Sequence, residues 1–324
     1  MHILAYPHNF KLFNQFSCKF LSRLLALVLI LVFNSPNLFA TTAPHIAVLY
    51  PESGKRASQL YKTIIKNMQQ RENVVIISRQ FSVDTDAEKL QQWLRAENIQ
   101  AVILLGKKGL QFSLKLNVNI PVITGAHMGV LPGRSAVTLS ADPQQLFYQL
   151  KKLQPQIKTV HVIYNQANSG WIIKKAERAA KKNNLQLNAI QADSVQASAQ
   201  ALKALVNTLN ARHDSIWLPY DPVFPVKPLL PDLLKKSWQD NLIIFSGNPY
   251  HVQQGILFAL FPDYSKLGNQ LIDLALHKVQ KDDSIHIEAS QYLNSAINIR
   301  TATHLGILLS SVEKNNYKMV FPKN

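Results

Sequence analysis

Residues 161–171, His161-Val162-Ile163-Tyr164-Asn165-Gln166-Ala167-Asn168-Ser169-Gly170-Trp171, decide the fold. Val160, Val162 and Ile163 make a short apolar run with the length of a buried strand. The run ends abruptly in small polar residues. A lysine-rich stretch with helical spacing follows, and its predicted helix spans Ser169 to Asn183. An ordinary strand-to-helix connection needs one cap. This one offers two asparagines and a serine.

The same alternation extends in both directions. His45–Tyr50, Val74–Ile77, Ala101–Leu105 and Pro121–Thr124 read as strands. Between them, Lys55–Arg71, Ala87–Glu97 and a short stretch near Leu110–Leu116 have helical periodicity. Asp142-Pro143 then gives a strong helix start, an acceptor followed by proline in the first turn. That helix ends at Pro155. A second round follows: strands Thr159–Tyr164, Leu185–Ile190, Ser215–Leu218 and Leu242–Phe245, with helices at Ser169–Asn183, Ser194–Leu209 and Leu229–Trp238. A helix over Tyr264–Val279 and a strand near Ala296–Ile299 close the chain. Such alternation predicts an α/β protein of two doubly wound parallel-sheet lobes, each covered by helices on both faces and joined by several crossovers. The expected division is 44–140 with 248–286 in one lobe and 141–247 with 287–324 in the other.

The first forty residues set the compartment. Leu24–Phe33 is an unbroken apolar run, preceded by Lys11, Lys19 and Arg23 and ended by Asn34-Ser35-Pro36. It is shorter than the roughly 20 residues that span a bilayer. Residues 1–40 therefore read as a secretory signal peptide cleaved near Ala40. The sole cysteine, Cys18, precedes the apolar run, so the exported chain is expected to have no disulfides and not to be a lipoprotein. It is expected to be periplasmic and monomeric. The chain carries +16 formally. Without its leader, 32 basic residues face 19 acidic ones, or +13. The lysines are scattered, and the cluster Lys174, Arg178, Lys181, Lys182 fits a solvated helix face. No basic motif interleaved with aromatics appears, and export argues against a nucleic-acid partner.

Six predicted strand ends carry small polar loops. They are Pro51-Glu52-Ser53-Gly54, Gly106-Lys107-Lys108-Gly109, Gly125-Ala126-His127, Asn165 to Ser169, Pro219-Tyr220-Asp221 and Ser246-Gly247-Asn248. In open α/β sheets, ligands bind beyond the carboxyl ends of the strands. Candidate contacts are thus Ser53, Gly54, Gly106, Gly125, His127, Asn165, Asn168, Ser169, Asp221 and Ser246. Ser169 is expected to cap its helix, whose free N–H groups favour an anion, and Asp221 to hold an ammonium. Tyr50, Tyr220, Phe224 and Tyr264 would suit a ring. Catalytic motifs are missing. There is no G-x-S-x-G elbow, dinucleotide turn or complete P-loop, and the histidines lack zinc-ligand spacing. No cofactor is expected.

Four stretches carry a family resemblance. They are Val162 to Ser169, Ser215 to Asp221, Pro249 to Gly268 with Asp263-Tyr264 and Leu267-Gly268, and Ala296 to Ala302 with Leu305-Gly306. In order and spacing they resemble the substrate-binding proteins of bacterial ABC transporters with a type 1 periplasmic-binding fold, in the family that includes aromatic amino-acid binders. The resemblance implies a ligand-facing loop at Asn165, Asn168 and Ser169, with Asp221 and Ser246 at neighbouring strand ends and Tyr264 on the opposite lobe. It implies a small polar ligand, such as an amino acid, and a membrane permease as partner. A periplasmic sensing module read by a membrane signalling protein is the alternative. The first half departs from the family pattern. Gly125–Gly133 replaces an A-V-x-D-P segment, and the loop at Pro51–Gly54 lacks a longer insertion.

Overall fold

The computed structural model describes residues 43–221, 226–280 and 284–322. The expected leader over 1–40, with Cys18, and the aromatic Phe224 lie outside the described residues. Pro44–Asn324 forms one compact unit.

The chain runs β1 (His45–Pro51), α1 (Lys55–Met68), β2 (Val75–Phe81), α2 (Ala87–Ala96), β3 (Ala101–Leu105), α3 (Gly106–Phe112), β4 (Val122–Gly125) and β5 (Ser135–Ala141). It continues with α4 (Pro143–Leu153), β6 (Thr159–Tyr164), α5 (Gln166–Lys182), β7 (Gln186–Gln191), α6 (Val195–Val206), β8 (Asp214–Leu218), α7 (Val226–Asp240), β9 (Ile243–Ser246), α8 (Pro249–Gln254) and β10 (Phe258–Pro262). The last elements are α9 (Tyr264–Val279), β11 (Ile287–Ser290), β12 (Leu293–Asn298), α10 (Ile299–His304), α11 (Ser311–Asn315) and β13 (Met319–Phe321).

Two sheets result. One has the order β11-β5-β4-β3-β1-β2, the other β13-β12-β10-β9-β8-β6-β7. Each contains the doubly wound 2-1-3-4-5 order, whose switch point lies between the first and third strands of the round. The β10–β12 pair is antiparallel and the other described pairs are parallel.

Alternating side chains explain the burial of both faces. In β1, Ile46 and Val48 pack with Ile64 and Leu271 from α1 and α9, while Ala47 and Leu49 pack with Leu90 and Leu94 from α2. In the second sheet, Val160 and Val162 join Phe147 and Ile173 from α4 and α5. Ile163 turns the other way, toward Leu202 and Leu233 from α6 and α7. A parallel strand needs this near-continuous apolar run because helices cover it on both sides.

The expected lobe boundaries shift at two places. The expected first lobe includes 248–286, yet β10 pairs with β9, and α8 packs Val252 against Ala259 of β10. Phe258 stacks on Phe245 at a ring separation of 5.2 Å, which favours this pairing over a return to the first sheet. Conversely, β11 pairs with β5 of the six-stranded sheet. β5 and β13 were not anticipated. The β5 sequence SAVTLSA is mostly small and polar, so it carries little strand signal.

The chain passes between the sheets three times: after β5, after β10 and after β11. The third crossing is hydrogen-bonded to both others. Asp142 N–H donates to Ser290 O at 3.1 Å, and Asp263 N–H donates to Tyr292 O at 2.8 Å. Gln145 Nε2 adds a bond to Gln291 O at 2.6 Å. Three short crossings, the third bonded to each of the other two, have the form of a hinge.

Candidate ligand-binding site

The carboxyl ends of β6, β8 and β9 form one wall. Asn165, which follows β6, caps α5: its Oδ1 accepts from the N–H groups of Ala167 and Asn168 at 3.1 and 3.3 Å. Its Nδ2 donates to Ala192 O at 3.3 Å, and its own N–H donates to Asp221 Oδ2 at 2.7 Å. Asp221 is only 6% exposed. One of its oxygens therefore ties the end of β8 to the end of β6.

This corrects the expected helix start. The helix begins at Gln166 and its cap is Asn165. Ser169 is a buried residue of the first turn, so it is no cap. It lines a small cavity of about 20 Å³ with Ser140, Leu146, Trp217, Tyr220 and Gly247. The two asparagines and the serine thus divide the work. Asn165 closes the helix, Asn168 sits half-buried, and Ser169 fills the floor.

Ser246, after β9, is buried. Its Oγ lies 2.8 Å from His251 Nδ1, 3.3 Å from Leu218 O and 3.1 Å from the N–H of Asn248, which donates to it. Asn248 Oδ1 in turn accepts from Tyr250 N–H at 3.0 Å and caps α8. Burial lowers the His251 pKa, so the neutral ring that accepts or donates at Ser246 is the favoured form.

The six-stranded sheet supplies the other wall. Ser53 Oγ donates to Pro51 O at 3.1 Å, and burial raises the pKa of the nearby Tyr61 hydroxyl, with Ser53 opposing the shift. Gly106 has φ +78°, and a Cβ there would lie 2.0 Å from the Tyr61 hydroxyl. Gly125 leaves room for Leu271, which a Cβ would meet at 2.6 Å. Both glycines have packing reasons. Lys108 Nζ donates to Glu52 O at 3.3 Å, joining the loop after β1 to α3, which starts directly after β3 in place of the expected polar loop. His127 is 4% exposed, and neither ring nitrogen has a hydrogen-bond partner among the described residues. Burial lowers its pKa to about 4, with the nearby Gly129 backbone opposing the shift.

Helix starts differ between the walls. Among the described helices with a defined N-cap, α1 and α3 have no side-chain cap. Gly54 precedes α1, and no acid lies in either first turn. Lys55 and Arg56 open α1, and Lys107 and Lys108 open α3. The free N–H groups and cations there favour negative charge.

Tyr264, the first residue of α9, packs against the core beneath α1 on the six-stranded sheet. It lines an open cleft of about 610 Å³ with Arg56, Gln59, Leu60 and Thr63 of α1. It also lies close enough to Tyr220, after β8, to raise the Tyr220 pKa, though burial is the larger cause.

The model of the ABC transporter substrate binding protein family matches residues 45–315. The chain belongs to this family. No curated relative matches it. Two solved structures have the same fold. One is the ABC domain in complex with L-Trp from Streptococcus pneumonia, at 18% identity, covering 86% of this chain and 99% of that one, with a TM-score of 0.51. The other is the ligand-free, open structure of a substrate binding protein with adhesive properties from Clostridium difficile. It is 17% identical over 86% and 100% of the two chains, with a TM-score of 0.55. The fold of this substrate-binding protein is therefore the type 1 periplasmic one, and its family is one of binding proteins rather than enzymes. Such proteins typically work outside the cytoplasm. Among the described residues no helix is long and apolar enough to cross a membrane.

In this substrate-binding protein, a hydrogen bond joins Asn165 to Asp221, and a shared cavity joins Ser169 to Tyr220. Tyr61 lies near both Ser53 and Gly106. Tyr50 is half-buried against the core beneath α1 and α9. Sequence reasoning missed Arg56, Tyr61 and His251. Asn248-Pro249, a cap followed by proline, was the available signal for the short helix that presents His251.

Proposed function

We propose that this substrate-binding protein is exported by the segment 1–40 and captures a small polar ligand, an amino acid in the first instance, between its two lobes. It then presents the ligand to the permease of an ABC transporter. Family membership supports the receptor role. The observation behind the site is Tyr264, which shares an open groove with Arg56 of its own lobe and acts electrostatically on Tyr220 of the other.

Each wall suits one end of an amino acid. The uncapped α1 start with Arg56 suits a carboxylate, and the polar strand ends around Asn168 and Asp221 suit an ammonium. Tyr220 and Tyr264 offer ring faces to what lies between. Closing over the ligand would exclude water and strengthen these contacts. The hinge has the three crossings as its moving parts.

Isothermal titration of residues 44–324 with amino acids and small carboxylates tests the reading. Saturable binding that weakens at least tenfold in Arg56→Ala and in Tyr264→Ala supports it. Binding that neither change affects places the ligand elsewhere.

A further inference from the structure

The segment after β12 presents an unusual edge. β12 runs antiparallel to β10, so the chain leaves it at the edge of the sheet opposite the strand-end loops of the cleft. There Leu308 is 83% exposed and Val312 is 73% exposed. Two aliphatic side chains four residues apart, both almost fully in water, are costly unless something covers them.

They are held outward. Ile307 is buried, which anchors the segment before Leu308. Beyond Val312, Tyr317 accepts from Gln149 Nε2 at 2.9 Å, which anchors it to α4. Between the anchors, Ser310 and Glu313 form a capping box, so α11 is a fixed turn. No residue of α11 is buried. Leu308 cannot collapse without breaking these contacts, and it forms a wall common to two surface clefts. Lys152 of α4 lines one and Lys314 lines the other.

The charge around the ridge is positive in sum, with one acid among the lysines. Glu313 is the only acid between 305 and 322, where Lys314 and Lys318 also lie. Its carboxylate accepts from the Ser310 N–H and hydroxyl, both at 2.8 Å. The projecting surface is thus two aliphatics with Lys152 and Lys314 in the clefts beside Leu308, Lys318 exposed further along the chain, and Glu313 held by the Ser310 cap. A protein groove complementary to single projecting side chains would need matching acids at fixed places. An anionic bilayer surface meets the same need anywhere, with headgroups for the lysines and acyl boundary for Leu308 and Val312.

We propose that this ridge docks the protein on an anionic phospholipid surface, leaving the ligand cleft free. The proposal goes beyond ligand capture and does not depend on which ligand the cleft takes.

Sedimentation with unilamellar vesicles tests it. The probe is the compact unit 44–324, which contains both sheets and lacks the apolar run 24–33. Phosphatidylglycerol-containing vesicles should bind it at low salt and release it near 1 M salt, and pure phosphatidylcholine vesicles should not bind it. Lys152→Gln and Lys314→Gln should each weaken binding about fivefold. Leu308→Ser with Val312→Ser should weaken it about tenfold. These side chains are at the surface, and unchanged melting curves check that the variants fold. Lys62→Gln with Lys66→Gln, exposed on the other lobe, should change it less than about twofold.

Failure to bind anionic vesicles would overturn the proposal. So would equal weakening by the Lys62 and Lys66 control, which would mean diffuse charge attraction. Binding that appears only when a membrane protein is incorporated would make the ridge a protein interface and also overturn it.

Discussion

The backbone N–H of Asn165 donates to the Asp221 carboxylate at 2.7 Å, so two strand ends on either side of a topological switch point are locked together. Asp221 is nearly buried, and removing it leaves that N–H without its acceptor. Asp221→Ala is expected to cost about 1–3 kcal/mol. Asp221→Asn keeps an acceptor and should cost less. Urea unfolding of both variants checks the order. An unchanged midpoint for Asp221→Ala would mean that the bond contributes nothing.

Asn165 and Ser169 should differ sharply. Asn165→Ala removes the α5 cap and the bond to Ala192, for a loss of about 1–2 kcal/mol. Ser169→Ala removes no cap, and its stability should stay within about 0.5 kcal/mol of the parent. Ligand affinity should respond in the reverse order of surprise: a stable Ser169→Ala variant that binds weakly would assign the serine hydroxyl to the ligand. The reverse stability order would restore Ser169 as the cap.

Gly106 should tolerate no side chain. Its φ of +78° and the Tyr61 hydroxyl each oppose a Cβ. Gly106→Ala is expected to cost about 1–3 kcal/mol. Adding Tyr61→Phe should recover part of that loss, because the hydroxyl goes while the backbone strain stays. A double-mutant cycle measures the coupling. Strictly additive effects would show that Tyr61 is not what excludes a side chain at Gly106.

The strands that build the two sheets were legible where apolar runs are buried on both faces. β3 and β6 have the residues expected of them, and α9 has the bounds read from its periodicity. β5 was illegible because small residues suffice where β4, β11 and the crossing already cover it. The lobe assignment of β10 depends on Phe258 meeting Phe245, a contact between residues that no local pattern links. The polar loops that follow β1, β6, β8 and β9 were legible as turn-prone residues after apolar runs. The packing reasons for Gly106 and Gly125 were not, since they depend on Tyr61 and Leu271 from distant helices. His251 was missed because its partner, Ser246, already looked like a complete turn residue.

Acid should destabilise the fold through His127. In the folded chain burial holds its pKa near 4, below the ordinary 6.5 of an unfolded chain. Between these values the unfolded state binds the proton and the folded state does not. Stability is fully present above about pH 6.5 and falls as the pH drops toward 4, by up to about 3 kcal/mol. His251, also lowered by burial, acts in the same direction. Urea midpoints between pH 7 and pH 4 should fall less steeply in His127→Leu than in the parent. Parallel slopes would remove His127 from the account.

Capture of a small polar ligand between the lobes is tested most directly by a thermal-shift screen. Residues 44–324 would be heated with amino acids, sugars, nucleosides and small carboxylates. A ligand at 100 times its dissociation constant adds about 2.7 kcal/mol, a shift easily seen. The account predicts a hit among amino acids or small carboxylates that is lost in Arg56→Ala and Tyr264→Ala and kept in Leu308→Ser. A folded protein that no member of the library stabilises would contradict it and favour a module read by a membrane signalling partner.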